Sequence, residues 1–184
     1  MGASPPAPQA LAERLEQLHG LDAPAGVIAN ALRSAMPEGA VRNGLRGRFL
    51  GHALHPLLTD VPIGAWTSAV ILDLIGGRSS QGAADLLVAV GVVTALPTAV
   101  TGWADWSEAT IEQRRVGLVH AAANITALGV FCGSLRDRRR GRRTRGKLLS
   151  LAGAGLLGVG GYLGGHLAFA RGVGVGDRGR DPAS

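Results

Sequence analysis

The 184-residue sequence predicts an all-α protein whose core is an up-down bundle of four transmembrane helices. Three observations predict it. Four apolar segments, at 54–75, 83–103, 116–135 and 148–170, each run about 20 to 23 residues, and a helix needs about 20 to cross the hydrocarbon core. The segments at 83–103 and 148–170 carry almost no charge on any face, whereas a helix of a soluble domain keeps a polar outer stripe. The cations gather between the segments instead, and nearly all of the net charge of +6 comes from arginine.

Residues 1–50 form a polar N-terminal region holding one or two short amphipathic helices. The stretch P8-Q-A-L-A-E-R-L-E-Q-L18 sets Leu11, Leu15 and Leu18 on one helical face. A weaker pattern over Val27, Ile28, Ala31, Leu32 and Ala35 predicts a second helix. Both are expected to lie on the membrane surface or to cap the bundle. Residues 1–7 and 176–184 have the composition of disordered tails, which leaves 51–175 as the membrane domain. The first apolar run starts near Leu54, too late for a secretory signal peptide, and no basic n-region or small-residue cleavage site precedes it.

Within the spans, Pro62 and Pro97 are expected to kink their helices without breaking them. Trp66 lies at mid-span, where it packs, whereas Trp103 and Trp106 read as interfacial anchors. Asp73 is expected to pair with Arg78. Gly160 and Gly164, with Gly161 and Gly165, repeat the G-x-x-x-G spacing that lets another backbone approach closely. That groove serves bundle packing first, and equally suits a homo-oligomer contact or a flat cofactor. The single Cys132 excludes a disulfide framework or a cysteine-based zinc cluster, and reads as a small buried packing residue.

Four spans put both termini and the 2–3 loop on one side. The 3–4 loop holds Arg136, Arg138, Arg139, Arg140, Arg142, Arg143, Arg145 and Lys147; with Arg78 that side has nine cations near its spans, against eight on the other. The positive-inside rule therefore leans toward a cytoplasmic 3–4 loop, with the termini outside. The arginines read as a topology signal and not as a nucleic-acid surface. The location predicted is a bacterial plasma membrane.

On this topology the polar residues collect in one leaflet. His52, His55 and Asp60 open the first span, Asp105 closes the second, His120 and Asn124 lie in the first third of the third, and His166 falls in the last turns of the fourth. Ionisable groups inside a bilayer cost a few kcal/mol each, so they tend to face the bundle interior and meet one another. Haem b would take two axial imidazoles, for which His120 with His166 or His55 are candidates. A transition metal could draw on His52, His55, Asp60, Asp105, His120 and His166, a nitrogen and oxygen set suited to Zn, Fe, Mn or Cu. Asn124, one turn from His120, would orient that ligand. The same residues equally serve hydrogen bonds that only stitch the bundle together. A third reading, a proton or ion path through Asp60, His120 and Asn124, finds few polar residues below mid-depth in spans two and four. No Ser/His/Asp spacing, phosphate loop or acid pair marks a hydrolase or kinase.

The blocks G51-H-A-L-H-P-L-L-T-D-V-P-I-G-A-W66, T101-G-W-A-D-W106, H120-A-A-A-N-I-T126 and G164-G-H-L-A-F169 followed by R171-G-V-G-V175 resemble a family of predicted membrane proteins of unknown function. Some members of that family are fused to Rieske iron–sulfur domains. The resemblance implies a compact four-helix membrane domain and, through the fusion, electron transfer with a Rieske-type partner. This chain's one cysteine cannot supply a Rieske ligand set. The sequence thus points to a redox carrier with a His/Asp site, or to a non-catalytic anchor or assembly subunit, and not to a stand-alone enzyme.

Overall fold

The computed structural model describes residues 5–36 and 38–174. The expected tails at 1–4 and 176–184 lie outside the described residues, while Ala7, expected in the first tail, already opens a helix. Three short helices, α1 (Ala7–Glu16), α2 (Asp22–Ala35) and α3 (Ala40–Leu45), precede four long ones. These are α4 (Leu54–Ile75), α5 (Gln81–Trp106), α6 (Ile111–Arg139) and α7 (Arg143–Gly165), the last running on through a π-helical turn at His166–Ala170. All four are long and apolar enough to cross a membrane. They expose large apolar side chains outward, among them Leu74, Ile75, Leu86, Val93, Ile125 and Leu148, the arrangement that contact with a bilayer requires.

Local signals set the helix ends. A capping box starts α6: Thr110 N–H donates to Gln113 Oε1 at 2.8 Å, and Thr110 Oγ1 accepts from Gln113 N–H. Gly47 and Gly51, both at φ 69°, turn the chain through a left-handed loop into α4. Pro62 cannot donate to the carbonyl of Leu58, and the Thr98 hydroxyl of α5 donates to that carbonyl instead, at 3.2 Å.

The bundle is a duplicated hairpin. Trp66 of α4 lies over Gly91 of α5, and Phe131 of α6 lies over Gly153 of α7. The two rings stack on each other at 4.2 Å and 3°. A Cβ at Gly153 would sit 2.8 Å from the Phe131 ring, so each glycine makes room for its aromatic neighbour. Nearer one end, His55 of α4 rests on Gly102 of α5, and His120 of α6 on Gly164 of α7. At the other end Asp73 meets Arg138. In all three pairs the partners are 65 residues apart. An approximate two-fold axis along the bundle thus relates α4–α5 to α6–α7, as in parallel-repeat membrane proteins.

The Asp73–Arg138 end is a closed ionic network. The Arg138 side chain is wholly buried; Nη1 donates to Asp73 Oδ1 and Asp85 Oδ1, both at 3.0 Å, Nε to Ser134 Oγ at 3.0 Å and Nη2 to Ser150 Oγ at 3.1 Å. Arg143 pairs with Asp85 at 2.6 Å, and Lys147 Nζ donates to the Asp73 carbonyl at 2.8 Å. Asp73 therefore pairs with Arg138 and not with the expected Arg78. The cause is three-dimensional: the axis brings position 138 opposite position 73. Several cations counted for topology are thus neutralised by ion pairs, and on the other side Arg42, Arg46, Arg115 and Arg171 are too.

The N-terminal helices cap the opposite end. Arg115 donates to Asp22 and to the Glu16 carbonyl, both at 2.5 Å, and Arg42 donates to Glu108 at 2.8 Å. Their contact face is centred on alanines, with Leu15 and Leu32 of the expected apolar faces packed beside them. Ala12 packs with Val116, Leu163 and Leu167, and Ala25 and Ala29 pack with Trp106, while Leu11 and Leu18 are exposed. Small residues let a helix lie close across the bundle end. Trp106, expected as an interfacial anchor, is instead buried in that junction, with its indole N–H donating to the Arg114 carbonyl at 3.1 Å. Cys132 is exposed, not buried.

Candidate functional site

Two imidazoles face each other where the duplicated hairpins meet. His55 Nδ1 lies 2.9 Å from the Thr98 carbonyl of α5, and His120 Nδ1 lies 2.8 Å from the Gly160 carbonyl of α7. A carbonyl only accepts, so each Nδ1 carries the proton and each Nε2 keeps its lone pair. The ring centroids are 6.4 Å apart and the planes are nearly perpendicular, at 88°. Both rings are half-buried.

Glycines set this geometry. Four residues beyond each accepting residue, Gly102 and Gly164 present bare backbone to the imidazole; an added Cβ would sit 2.8 Å and 2.9 Å from the respective Cε1 atoms. Gly160 does the same for Asn124, whose Nδ2 lies 3.1 Å from His120 Nε2. Gly160 and Gly164 thus receive side chains of their own chain, while Gly161 and Gly165 point to the outside of the bundle.

Of the residues expected to gather, the structure brings together His55, His120 and Asn124. His166 goes to the cap, with Nε2 2.8 Å from Glu16 Oε1, and Glu16 also accepts from Arg171 at 2.6 and 2.5 Å. Asp105 is buried beside Arg46, at 3.5 Å. His52 and Asp60 are exposed. Among the described residues no group of three or more His, Cys, Asp or Glu side chains is placed to hold an ion. Asp60 follows His55 by five residues, a rotation of about 140° at 100° per residue, so the two cannot share a helical face.

Glu16 shows what holds the cap. Burial pushes its carboxyl up, but the hydrogen bonds from Arg171 and His166 outweigh this, and its pKa lies below the usual glutamate value. The expectation that α1 and α2 lie on the membrane surface or cap the bundle named none of the side chains that hold the cap, and Glu16, Asp22 and Arg46 were missed as partners of the bundle. The matching spacings of His55, Trp66 and Asp73 with His120, Phe131 and Arg138 were the available signal for the axial site.

A family model described as a predicted membrane protein (DUF2231) matches residues 51–177, which include all four long helices. No curated protein and no solved structure matches the chain.

Proposed function

The chain belongs to the DUF2231 family of predicted membrane proteins, and we propose that it carries a metal between His55 and His120 for one-electron transfer within the bilayer. The observation that carries this reading is the pair of imidazoles on the two-fold axis, each tied through Nδ1 to a main-chain carbonyl. Such ties orient metal-binding histidines and free Nε2 for the metal. An ion held about 2 Å from one nitrogen of each ring would set the centroids about 6 Å apart, close to the 6.4 Å observed, once the rings turned their Nε2 atoms toward it.

Two neutral nitrogen donors with no carboxylate form a sparse set. It suits the iron of haem b, which brings four nitrogens of its own, or a bare monovalent copper ion content with two. A bare ion needs only that the Asn124 amide turn from His120. A porphyrin needs the hairpins to part, because the inward glycines already receive the rings and the amide. The axial site lies at the cap end of the bundle; the cation count leans toward placing the arginine-rich turn in the cytoplasm and this site on the outer side.

The test is an absorption spectrum of detergent-purified protein, oxidised and then dithionite-reduced, together with elemental analysis. A Soret band, or about one copper per chain, that His120→Ala abolishes supports the proposal. Colourless, metal-free protein from cells supplied with haem, iron and copper overturns it. A second reading has a specific observation behind it, since Asn124 and the two carbonyls already satisfy ring nitrogens. The chain would then be an anchor or assembly subunit, and His→Ala changes would lower stability or partner recovery with no spectral consequence.

A further inference from the structure

A second concave site lies one bare backbone away from the histidine pair. On the outer face of α7, next to α1, a groove of about 510 Å³ has Gly161 and Gly165 in its lining, with Phe169 and Tyr162 beside them and Gln9, Glu13 and Arg171 among its polar groups. Neither glycine carries a side chain to fill it: an added Cβ at Gly161 would meet nothing within 4 Å, and one at Gly165 only the Phe169 ring at 3.9 Å. Phe169 is 89% exposed, an aromatic face with little covering it. Bare glycine backbone and an aromatic ring border it, and the size is that of a small-molecule site.

We infer that this groove binds the head of a lipid-soluble quinone, with its apolar tail running down the outside of α7. The charges exclude the obvious competitor. Arg171 and His166, both in the lining, are held by Glu16, and the remaining charged lining residue is the carboxylate of Glu13. A phosphodiester would find no cation outside an ion pair there, whereas a neutral planar ring needs only hydrogen-bond donors such as the Tyr162 hydroxyl and the second N–H of the Gln9 amide, whose first donates to Glu13 at 2.9 Å. The position supplies the purpose. Gly164, which supports the His120 ring, is followed directly by Gly165 in the groove, so the two sites flank the same glycine turn. The purpose rests on the redox reading above; the groove and its chemistry do not.

The experiment uses full-length protein in nanodiscs and a decyl-tailed 1,4-benzoquinone, unmodified for binding and azido-substituted for photolabelling. Saturable binding of about one quinone per chain is expected, with label confined to residues 9–13 and 161–171. Gly161→Leu, which fills the floor, and Phe169→Ala, which removes an exposed wall and leaves the fold intact, each weaken binding at least about tenfold. Gly155→Leu, at an exposed glycine of the same helix with nothing within 4 Å, leaves binding unchanged. Label spread over all four spans, affinity indifferent to Gly161→Leu and Phe169→Ala, or displacement by phospholipid at equal concentration overturns the inference. Binding is also measured on His120→Ala protein. Retained binding there supports the groove whatever the fate of the metal, so failure of one proposal is not mistaken for failure of the other.

Discussion

The two ends of the bundle occupy equivalent positions on one axis and solve opposite problems. At one end the duplication keeps histidine in both copies, and two Nδ1-protonated imidazoles cannot satisfy each other's Nε2. At the other the copies have diverged to Asp73 and Arg138, which complete one another, and Asp85, Ser134 and Ser150 occupy the remaining donors. A like pair must look elsewhere for its Nε2 partners, and His120 takes the Asn124 amide at 3.1 Å. An unlike pair closes on itself. One 65-residue spacing sets both pairs, and the contrast between them comes from which side chains stand there.

The largest expected effect comes from opening the closed end. Arg138→Ala leaves Asp73 buried without its main partner and should cost about 3–5 kcal/mol, read as a fall in the thermal unfolding midpoint in detergent. Asp73→Leu with Arg138→Met should recover much of that loss, because apolar replacement of a buried ion pair is often tolerated. An unchanged midpoint in Arg138→Ala would remove the contrast between the ends. Next in size is the middle layer, where Trp66→Ala removes the stacked partner of Phe131 and should cost about 3 kcal/mol, seen in the same melt.

The open end should behave differently. His55→Asn and His120→Asn, whose amide N–H can replace the Nδ1–H that each ring gives to its carbonyl, should each cost less than about 1.5 kcal/mol, yet each should abolish any metal-dependent absorption. A large stability loss without a spectral change would make the two ends alike in being structural.

The smallest effect concerns the cap. Glu16 faces Arg171 and His166, with Glu13 and Arg115 nearby, and its pKa is lowered. Its contribution is therefore fully present above the ordinary glutamate pKa and is lost as pH falls through the lowered folded value. Protection factors in α1, taken relative to the intrinsic exchange rate at each pH, should fall in acid while those of α4–α7 stay high, with Glu16→Gln reproducing the effect at neutral pH. The magnitude expected is about 1 kcal/mol.

Much of the fold was legible because membrane spans announce themselves by length. Leu54–Ile75 falls where the apolar run placed it, and the other three helices extend a few residues beyond theirs. The duplication was hidden because little but one histidine and a spacing of glycines recurs, with Trp66 matched by Phe131 and Asp73 by Arg138. For the site, His120 and Asn124 one turn apart gave a readable face. Placing His52, Asp60, Asp105 and His166 in the same leaflet fixed their depth but not their direction. Depth follows from position along a helix; direction depends on partners such as Glu16 and Arg46, which come from a region that looked peripheral.

The Trp66–Phe131 stack has a consequence for the membrane as an insulator. Positions 55 and 73 are separated along α4 by about 27 Å of helix rise, so the histidine and arginine layers sit near opposite faces of a core about 30 Å thick. Between them two large rings lie in contact on the axis. A voltage of 100 mV does about 2.3 kcal/mol of work on each elementary charge that crosses, and this aromatic partition lets the bundle carry polar groups at both faces without short-circuiting that voltage.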